Sequence, residues 1–594
     1  MENKVCKQCG DGFVVTDEDR EFLEKMAPEI GGKRFELPMP NKCPDCRMRE
    51  LMIFRNGWVL YRRKCEATGK DIVSMFNSDC KYKVYHRDVW YSDQWDPMDY
   101  GREMDFSRPF FPQLQELFLD VPLFHASTVN DWNSDFSNNS GRLMNCYMVQ
   151  DSEEAKDCLY CNWLVQTQDC VDCGKVINSQ GCYQVLNGLN CYECYCSENI
   201  INCRESYWLY ACTGCSNCFG CINLNNKEYY IFNEPKSKEE YKAYIKKYLA
   251  GDRMYQREVG KLVRELWRRE PHRYAQIYAS EDCSGDFINY CHKVKSSQIV
   301  DKSENVRYCN MVNRSKNFMD VCAFGLESEN VYYCASVGLS ANNLCFCNEV
   351  WENVANVYYS WFCGQGAKDC FGCSGLRGKQ YCILNKQYTK EEYEELVPKI
   401  IEHMQQTSEW GQFFPMSFSP FGYNETIANE YYPLSKEQVV AMGVKWYDKP
   451  EPQYNFDQHY QPLHIKQYDP AFATAMASEA EAEINKCLNG VVKCEVTGRP
   501  FRIISQELYF YIKRGLPVPT VHPDERRRLR NKDINRVEFY RRRCDCEGQG
   551  SSIKDQGSSG GCDHGGQCEN QFETTYEPGK RKVYCEGCYG KSVI

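Results

Sequence analysis

The feature that most constrains this chain is a series of cysteines at twelve-residue intervals. Its members are Cys146, Cys158, Cys170, Cys182, Cys194 and Cys218, and Ser206 interrupts the series. A second block, residues 305–373, repeats units that begin with Asn or Asp in steps of twelve or thirteen residues. Turn-prone residues followed by β-branched, aromatic and cysteine residues at a short period are typical of stacked strand-and-turn units. The predicted fold class is mainly β with helical segments: a duplicated cysteine-rich β-solenoid with a 12–13-residue repeat, flanked by terminal zinc-ribbon or treble-clef-like modules.

The cysteines of the repeat are predicted to fill a narrow core. Val, Leu, Phe and Ser replace cysteine at equivalent positions, and a metal ligand cannot be exchanged for valine, whereas a small buried side chain can. Two alternatives remain open. Stacked cysteines could form disulfides. Alternatively, the spacing of Cys212, Cys215, Cys218 and Cys221 resembles part of an iron–sulfur ligand motif. Whether twelve residues form a whole coil or half of a wider one is also open.

Composition indicates a reducing compartment. The chain has 594 residues, 39 cysteines and a formal net charge of −10. It starts Met-Glu-Asn-Lys-Val-Cys without an apolar stretch, and it contains no run of about eighteen apolar residues. Many cysteines without a signal peptide are typical of reducing conditions. The sequence therefore predicts a soluble cytoplasmic protein with no membrane partner, and its acidity argues against a globally basic nucleic-acid coat.

Paired C-x2-C knuckles predict about two zinc ions per chain. Near the N-terminus, two knuckles separated by thirty-three residues can place four thiolates around one zinc ion. At the C-terminus one knuckle is complete, and Cys568 with either Cys562 or Cys546 supplies the other half. Four cysteines leave zinc no open position, so these sites are expected to stabilise folds. The predicted ligands are Cys6, Cys9, Cys43, Cys46, Cys562, Cys568, Cys585 and Cys588.

Each end also contains a second, incomplete copy of the zinc module. The motif C-E-A-T-G-K at Cys65 parallels C-E-V-T-G-R at Cys494. The N-terminal copy retains Cys65 and His86, whereas the C-terminal copy has His522 and Glu525 in place of its second knuckle. Each end is therefore predicted to hold one complete zinc site.

The two solenoid blocks end in related sequences, and each is followed by a motif that predicts the start of a helix. Residues 218–233 and 370–385 are related and offset by 152, and capping boxes follow each, Ser237 with Glu240 and Thr389 with Glu392. The predicted segments are a four-cysteine zinc-binding module (1–64), a degenerate zinc-ribbon-like unit with a connecting helix (65–140), the first solenoid block (141–235), a helical cap or connector (236–280), the second solenoid block (281–388), a helix with an extended aromatic and proline-rich linker (389–486), a degenerate basic zinc-module copy (487–543) and a C-terminal zinc ribbon (544–594).

A basic segment suggests RNA or DNA as a partner. Between residues 499 and 543, thirteen Lys or Arg stand against five acidic residues, which gives a net charge of +8. Aromatic residues are interleaved, as a stacking surface for unpaired bases requires. The residues expected to contact nucleic acid are Arg526, Arg527, Arg528, Arg530, Arg541, Arg542 and Arg543. The alternative is a helix whose arginines face solvent or pair with the acidic solenoid.

Several motifs outside the repeat carry a family resemblance. They are R-P-F-F at Arg108, S-P-F-G-Y-N-E-T at Ser419, C-E-V-T-G-R-P-F at Cys494, H-P-D-E-R at His522, and the terminal T-T-Y-E-P with V-Y-C-E-G-C-Y. On these motifs the chain resembles uncharacterised cysteine-rich zinc-ribbon and β-solenoid proteins of bacteria with reduced genomes. The resemblance implies the architecture but no established activity.

The predicted function is a non-enzymatic, zinc-stabilised scaffold or binding protein. Its basic terminal modules are expected to contact nucleic acid, RNA before DNA, and its solenoid face a protein partner. The alternative is a redox or metal-handling protein that uses the solenoid cysteines as an iron–sulfur or soft-metal array. A carbohydrate-active enzyme on a β-helix is a further alternative, which rests on fold analogy.

Overall fold

The computed structural model describes residues 1–250, 253–450, 459–468, 477–532, 535, 537–548, 564 and 566–593. It is mainly β with helices beside and between the strands, so the coarse fold class predicted from the sequence is confirmed. Parallel strands form the centre, and cysteine clusters lie near both ends. Within these residues, no helix combines the length and apolar character that crossing a bilayer requires.

Two hairpin-and-helix units precede the central strands. In each unit an antiparallel strand pair is followed by a helix, because one face of the hairpin must be covered. The elements are β1 (Glu2–Val5), β2 (Gly12–Val15), α1 (Asp17–Met26), β3 (Glu29–Ile30), β4 (Lys33–Arg34), α2 (Pro44–Met52), β5 (Tyr61–Lys64), β6 (Asp71–Ser74), β7 (Val84–Tyr85), α3 (Arg87–Trp90), a 3-10 turn (Pro97–Tyr100) and α4 (Phe110–Asp120).

The first group of parallel strands, residues 128–231, is called the first stack. Tyr147 lies opposite Leu159 and Leu186 opposite Glu198, so each residue pairs with the residue twelve positions further on. The chain thus returns alongside itself after twelve residues. Before the stack, β8 (Leu123–Phe124) pairs with β7. The strands of the stack are β9 (Thr128–Val129), β10 (Asn138–Gly141), β11 (Tyr147–Lys156), β12 (Leu159–Gln168), β13 (Gly174–Ile177), β14 (Leu186–Leu189), β15 (Tyr192–Tyr195), β16 (Glu198–Ile201), β17 (Arg204–Tyr207) and β18 (Tyr230–Ile231), and β19 (Glu234–Pro235) follows antiparallel to β18.

Each twelve-residue interval consists of three-residue steps. Within a step, one residue has a left-handed backbone, the next is buried inside the stack and the third pairs with a neighbouring strand; Asn145 (φ 53°), Cys146 and Tyr147 are an example. The left-handed conformation costs an ordinary residue about 1–2 kcal/mol, and Asn, Asp and Gly tolerate it best. This requirement explains the turn-prone residues that begin the sequence units.

Cysteine, serine and aliphatic side chains fill the interior of the first stack, and the polar ones form hydrogen bonds with the backbone. The buried Cys170 thiol donates to the carbonyl two residues before it (3.3 Å) and accepts from the amide twelve residues after it (3.4 Å). Ser206 makes the same two hydrogen bonds at 2.7 and 3.1 Å. Cysteine and serine can therefore replace each other at equivalent positions, because both satisfy the same backbone groups. The cysteines of the twelve-residue series are all buried, as expected of core-filling side chains.

The second stack, residues 277–383, has wider intervals. His292 lies opposite Glu304 at an offset of twelve, but Lys316 lies opposite Glu329 at thirteen. The change coincides with a register shift between β25 and β26. Before the stack, β20 (His272–Arg273) pairs with a strand near the C-terminus. The strands of the stack are β21 (Ile277–Tyr278), β22 (Glu281–Asn289), β23 (His292–Asp301), β24 (Glu304–Arg307), β25 (Asn310–Asn313), β26 (Lys316–Leu326), β27 (Glu329–Cys334), β28 (Gly338–Leu339), β29 (Asn342–Cys345), β30 (Ala355–Tyr358), β31 (Lys368–Phe371) and β32 (Gln380–Ile383), and β33 (Lys386–Gln387) follows antiparallel to β32.

Both stacks close with the same hydrogen bonds. The Asn233 side chain donates to the carbonyl of Ile222 and accepts from its amide, and Asn385 does the same with Ser374, at 2.8–2.9 Å. Both asparagines are left-handed, with φ of 63° and 61°. They are 152 residues apart, which is the offset between the two related sequences.

Helices follow each stack where the capping boxes predict them. They are α5 (Lys238–Ala250), α6 (Arg253–Arg269) and, after the second stack, α7 (Lys390–Gln406). Ser237 and Glu240 satisfy each other's backbone amides at 3.2 and 2.7 Å, and Thr389 and Glu392 do so at 3.2 and 2.8 Å. Both predicted helix starts are confirmed.

The aromatic and proline-rich segment after α7 belongs to the core. Its rings are buried against the N-terminal units and the outer face of the second stack, although the sequence suggests an extended linker. These rings are Phe413, Phe414, Phe418, Phe421 and Tyr423. The remaining elements are 3-10 turns at Met416–Phe418, Tyr423–Glu425 and Ile465–Gln467, α8 (Ala428–Tyr431), α9 (Lys436–Ala441), α10 (Ala477–Asn489), β34 (Val492–Lys493), β35 (Pro500–Phe501), α11 (Ser505–Arg514), α12 (Pro523–Asn531), β36 (Tyr540–Arg543), β37 (Gln571–Thr574), β38 (Val583–Tyr584) and α13 (Glu586–Val593).

The chain ends pack on the stacks in crossed order. The N-terminal units cover the second stack, where buried Arg47 pairs with Asp320 at 2.7 Å. Residues 487–532 cover the first stack, where buried Arg526 pairs with Asp172 at 2.9 Å. Each stack is therefore tied to the chain end that is more distant from it in sequence.

Candidate metal centres

The N-terminal cluster is built by a hairpin turn and the start of a helix. Cys6 and Cys9 lie between β1 and β2, Cys43 is the N-cap of α2, and Cys46 lies in its first turn. Gly10, with φ of 83°, closes the hairpin turn by donating its N–H to the Cys6 carbonyl at 3.0 Å. All four sulfurs lie within 4.8 Å of one another, and those of Cys9 and Cys43 are 3.7 Å apart.

The C-terminal cluster has the same plan but a different membership from the prediction. The sulfurs of Cys544, Cys568, Cys585 and Cys588 lie within 4.8 Å of one another, and all four residues are buried. The predicted ligand Cys562 lies outside the described residues. Cys568, Cys585 and Cys588 are thus brought together as predicted, and Cys544 occupies the fourth place.

A second ligand set overlaps the C-terminal cluster. Cys546, His564 and Cys588 also place one ligand atom each within 4.8 Å of the others. His564 Nε2 lies 3.2 Å from the Cys588 sulfur. Cys546, the alternative ligand from the sequence, therefore lies beside the cluster and shares Cys588 with it.

Both four-cysteine clusters have dimensions that suit one soft metal ion. A tetrahedron with zinc–sulfur bonds of about 2.3 Å has sulfur–sulfur edges of about 3.8 Å. The Cys9–Cys43 distance of 3.7 Å and the Cys568–Cys585 distance of 4.0 Å match this edge. Each cluster can hold a metal ion, and a saturated shell of thiolates suits a structural role.

One thiol in each cluster, just before a helix, has a lowered pKa. A hydrogen bond from the Cys46 thiol lowers the pKa of Cys43 to about 5. Burial raises the pKa of Cys585, but hydrogen bonds from the Asn570 side chain and the Cys588 backbone outweigh it and lower the pKa to about 7. The lowered pKa values favour the thiolate, which is the form that metal binding requires.

The incomplete modules replace metal contacts with hydrogen bonds. In the first, the Cys65 sulfur accepts the His86 amide at 3.2 Å, and in the second, Cys494 accepts the His522 amide at 3.3 Å. Each histidine is a helix N-cap whose Nδ1 accepts the amide two residues later, at 3.2 and 3.1 Å. The side chains at the former ligand positions thus satisfy backbone donors at the helix start.

Two of the arginines expected to contact nucleic acid form buried ion pairs. Arg526 is 5% exposed, pairs with Asp172 at 2.9 Å and Glu507 at 3.0 Å, and lies 4.9 Å from the ring centre of Tyr160. Arg530 pairs with the other oxygen of Asp172 at 2.9 Å. These contacts favour the alternative from the sequence, in which arginines pair with acidic residues of the repeat block.

The other arginines of the set divide into engaged and exposed members. Arg527 pairs with Glu430 and lies 4.2 Å from a ring centre of Trp58. Arg542 is buried and donates to Asp545 at 2.7 Å and to three backbone carbonyls at 3.2–3.3 Å. The exposed members are Arg528, Arg541 and Arg543.

The cysteines of the stacks are arranged differently from the terminal clusters. Within the described residues, groups of three or more candidate ligand atoms within 4.8 Å lie only at the two ends of the chain. The run resembling an iron–sulfur motif instead donates each thiol to the carbonyl two residues earlier, at 3.3–3.5 Å. Its members are Cys212, Cys215, Cys218 and Cys221, and all are free thiols.

Cys544 is the one cluster member that is not among the predicted ligands, although the residues before it match those before Cys65. Y-R-R-K before Cys65 is matched by Y-R-R-R before Cys544, which aligns the two cysteines. Cys65 holds the first ligand position of its unit. Cys544 also accepts the amide of Cys585 at 3.2 Å, as Cys65 accepts that of His86.

Comparisons with known proteins give no functional assignment. No family model and no curated protein matches the chain. Among solved structures, it is similar to a putative acetyltransferase from Desulfovibrio desulfuricans G20 at 7% sequence identity and a TM-score of 0.08. The match covers 41% of this chain and 60% of the acetyltransferase. At that TM-score the likeness carries no argument about fold or activity.

Proposed function

We propose that this protein is a non-enzymatic scaffold whose two ends fold around zinc ions. The observation that carries the proposal is the pair of four-cysteine clusters, one at each end of the chain. Four thiolates fill the tetrahedral shell of zinc and leave no position for water or substrate. The bound metal stabilises the units that cover the stacks, because an unfolded unit cannot gather four ligands.

The proposal extends to the stacks, each of which we regard as a β-solenoid. The offset of twelve or thirteen residues between paired strands supports a whole coil of that length. The three-residue steps support a common interior, because every third side chain of the first stack enters it. Such a rod is a rigid support whose outer faces can carry other elements.

A protein partner is proposed for an exposed apolar strip of the first stack. Successive strands β12, β13, β14 and β16 place four large apolar side chains opposite one another, each 36–42% exposed. Paired strands are about 4.8 Å apart, so these side chains form one continuous row. They are Val165, Ile177, Leu189 and Ile201. Ile177→Glu should abolish partner binding without lowering stability; unchanged binding would exclude this face.

Elemental analysis of anaerobically purified protein tests the zinc proposal. We expect two zinc ions per chain and no visible absorption band. Cys46→Ser and Cys588→Ser should each remove about one zinc ion, whereas Cys494→Ser, which alters an incomplete module, should leave the zinc content unchanged. Comparing Cys544→Ser with Cys546→Ser identifies the fourth C-terminal ligand. Iron with a broad visible band would contradict the proposal.

For the arginine-rich segment we propose an internal clamp as the main role. The ion pairs of Arg526 and Arg530 with Asp172 support it. Among the arginines expected to contact nucleic acid, the exposed ones remain the candidates for RNA binding. Salt-sensitive binding of a single-stranded RNA, lost when Arg528, Arg541 and Arg543 are all changed to Ala, would restore the nucleic-acid hypothesis.

A further inference from the structure

A cleft of about 420 Å³ lies between the first stack, α6 and the C-terminal units. Its wall on the stack is aromatic: Tyr183, Tyr195 and Tyr207 follow at twelve-residue intervals, and the rings of Tyr195 and Tyr207 stack with centres 4.7 Å apart. Trp208 extends this wall. The volume falls within the range of about 300–1,000 Å³ that is typical of small-ligand sites.

The opposite wall is one face of α6. Residues at helical spacings of four, three, four and three line the cleft, so they share that face. They are Arg253, Arg257, Gly260, Arg264 and Trp267. A Cβ atom at Gly260 would lie 2.7 Å from the Trp208 ring, so glycine is needed for the helix to approach the aromatic wall.

The cations on this face outnumber their carboxylate partners. Arg257 pairs with Glu495. Among the described residues, Arg253 donates to the Val518 carbonyl at 2.8 Å and its buried Nε has no partner. Arg264 lies 4.9 Å from a Trp208 ring centre, and no described carboxylate is within ion-pair distance of it. One further carboxylate, Glu198, lines the cleft, and the lining still holds more cations than carboxylates.

Two further observations indicate that an anion fits here. Burial and the neighbouring charge of Arg257 lower the pKa of Arg253, which an anion placed between the two guanidinium groups would reverse. The indole N–H of Trp267 is buried on the same face, and no described residue accepts its hydrogen bond. A buried unpaired donor costs about 1–3 kcal/mol, and a ligand oxygen can remove that cost.

We propose that this cleft binds a mononucleotide, with the phosphate on Arg253 and Arg257 and the base against the aromatic wall. Guanidinium groups bind phosphate through paired hydrogen bonds, and tyrosine and tryptophan rings stack on any base. A compact ligand is favoured over a strand because Leu516 and neighbouring residues of the C-terminal units enclose one side of the cleft. The site is independent of both cysteine clusters.

Calorimetric titration of the full chain with adenosine monophosphate tests the assignment. We expect binding that weakens with salt, and binding of adenosine or of inorganic phosphate alone that is weaker by about tenfold or more. Arg253→Gln should weaken binding of the monophosphate by about tenfold or more. Val496→Trp, at an exposed position on the rim, should block the cleft without disturbing the fold. Arg268→Gln is the matched control on α6, because Arg268 does not line the cleft.

Three outcomes would overturn the proposal. The first is no binding of the monophosphate, or binding that survives both Arg253→Gln and Val496→Trp. The second is inorganic phosphate binding as tightly as the nucleotide, which would show that the aromatic wall contributes nothing. The third is a single-stranded oligonucleotide that binds more tightly than the monophosphate and is lost in the same variants, which would replace the mononucleotide by a strand.

Discussion

Cys170 and Ser206 occupy equivalent positions thirty-six residues apart and make the same pair of backbone hydrogen bonds. At these two positions a small side chain with one polar atom that both donates and accepts fits the interior, while other interior positions hold Val, Leu or Ile. A left-handed residue precedes each interior position, and this alternation fixes which side chains enter the core. At this scale the sequence pattern is highly informative because each rule acts within three residues.

Substitution of an interior cysteine tests this selection. We expect Cys170→Ser to change the free energy of unfolding by less than about 1 kcal/mol, because serine can satisfy the same two backbone groups. Cys170→Phe should destabilise by about 1–3 kcal/mol, because the narrow interior would be overpacked. Urea unfolding of both variants checks this. A larger loss in the serine variant would indicate that the thiol has a role beyond filling space.

His272 should make stability depend on pH. It is 1% exposed, its Nε2 lies 2.8 Å from the Trp267 carbonyl, and burial lowers its pKa from 6.5 to about 3. The unfolded chain therefore takes up the proton first, so stability is complete above pH 6.5 and falls as the pH drops towards 3. Between pH 6.5 and 5 the loss from this group is about 2 kcal/mol.

Unfolding measurements across that pH range isolate the contribution of His272. The variant His272→Phe keeps a ring against Tyr210 and should show a smaller loss of stability on acidification than the native chain. Equal slopes in the His272→Phe variant and the native chain would mean that the buried histidine is not the source.

At the scale of elements, short sequence motifs correctly predict the structures that depend on contacts between nearby residues. The C-x2-C knuckles and the capping boxes at Ser237 and Thr389 act over a few residues, and the structure contains them where the sequence indicates. Contacts between distant residues escape prediction. Asp172 gives no sign in the sequence that Arg526 pairs with it, because hundreds of residues separate the two and no local pattern links them.

The start of α4 shows such a distant contact. Its N-cap residue Pro109 has no side chain to satisfy the free amides, and the Glu409 carboxylate accepts the amides of Phe110 and Phe111 at 2.8 and 2.7 Å. Glu409 is buried and also accepts the Thr407 hydroxyl at 2.6 Å. The segment after α7 is thereby fixed to the R-P-F-F motif.

We expect Glu409→Ala to destabilise the protein by about 2–3 kcal/mol, because two amides at a helix start lose a charged acceptor. Glu409→Gln should have a smaller effect, since one oxygen can still accept. Glu402→Ala, which removes a half-exposed side chain of α7, is the control and should cost less than about 1 kcal/mol. Urea unfolding checks all three. An alanine variant as stable as the control would show that the carboxylate does not hold α4.

At the scale of the whole molecule, the crossed packing joins parts that the sequence presents as separate. The sequence suggests modules at either end of a rod, yet each chain end lies on the flank of a stack. Buried ion pairs mark both interfaces: Arg47 with Asp320 on the second stack, and Arg526 with Asp172 on the first. A buried pair adds little net stability, but its disruption leaves an unpaired charge and costs about 3–5 kcal/mol.

Hydrogen exchange can therefore show which stack each clamp protects. In Arg526→Ala, Asp172 and Glu507 lose their partner, and we expect faster amide exchange in residues 159–177 with little change in residues 316–334. Arg47→Ala should give the reverse pattern, because Asp320 lies in β26. Arg528→Ala, which removes a 62% exposed side chain, should alter neither region. Equal acceleration of both regions in both buried-arginine variants would mean that the stacks open together, and the two clamps would then support one cooperative unit.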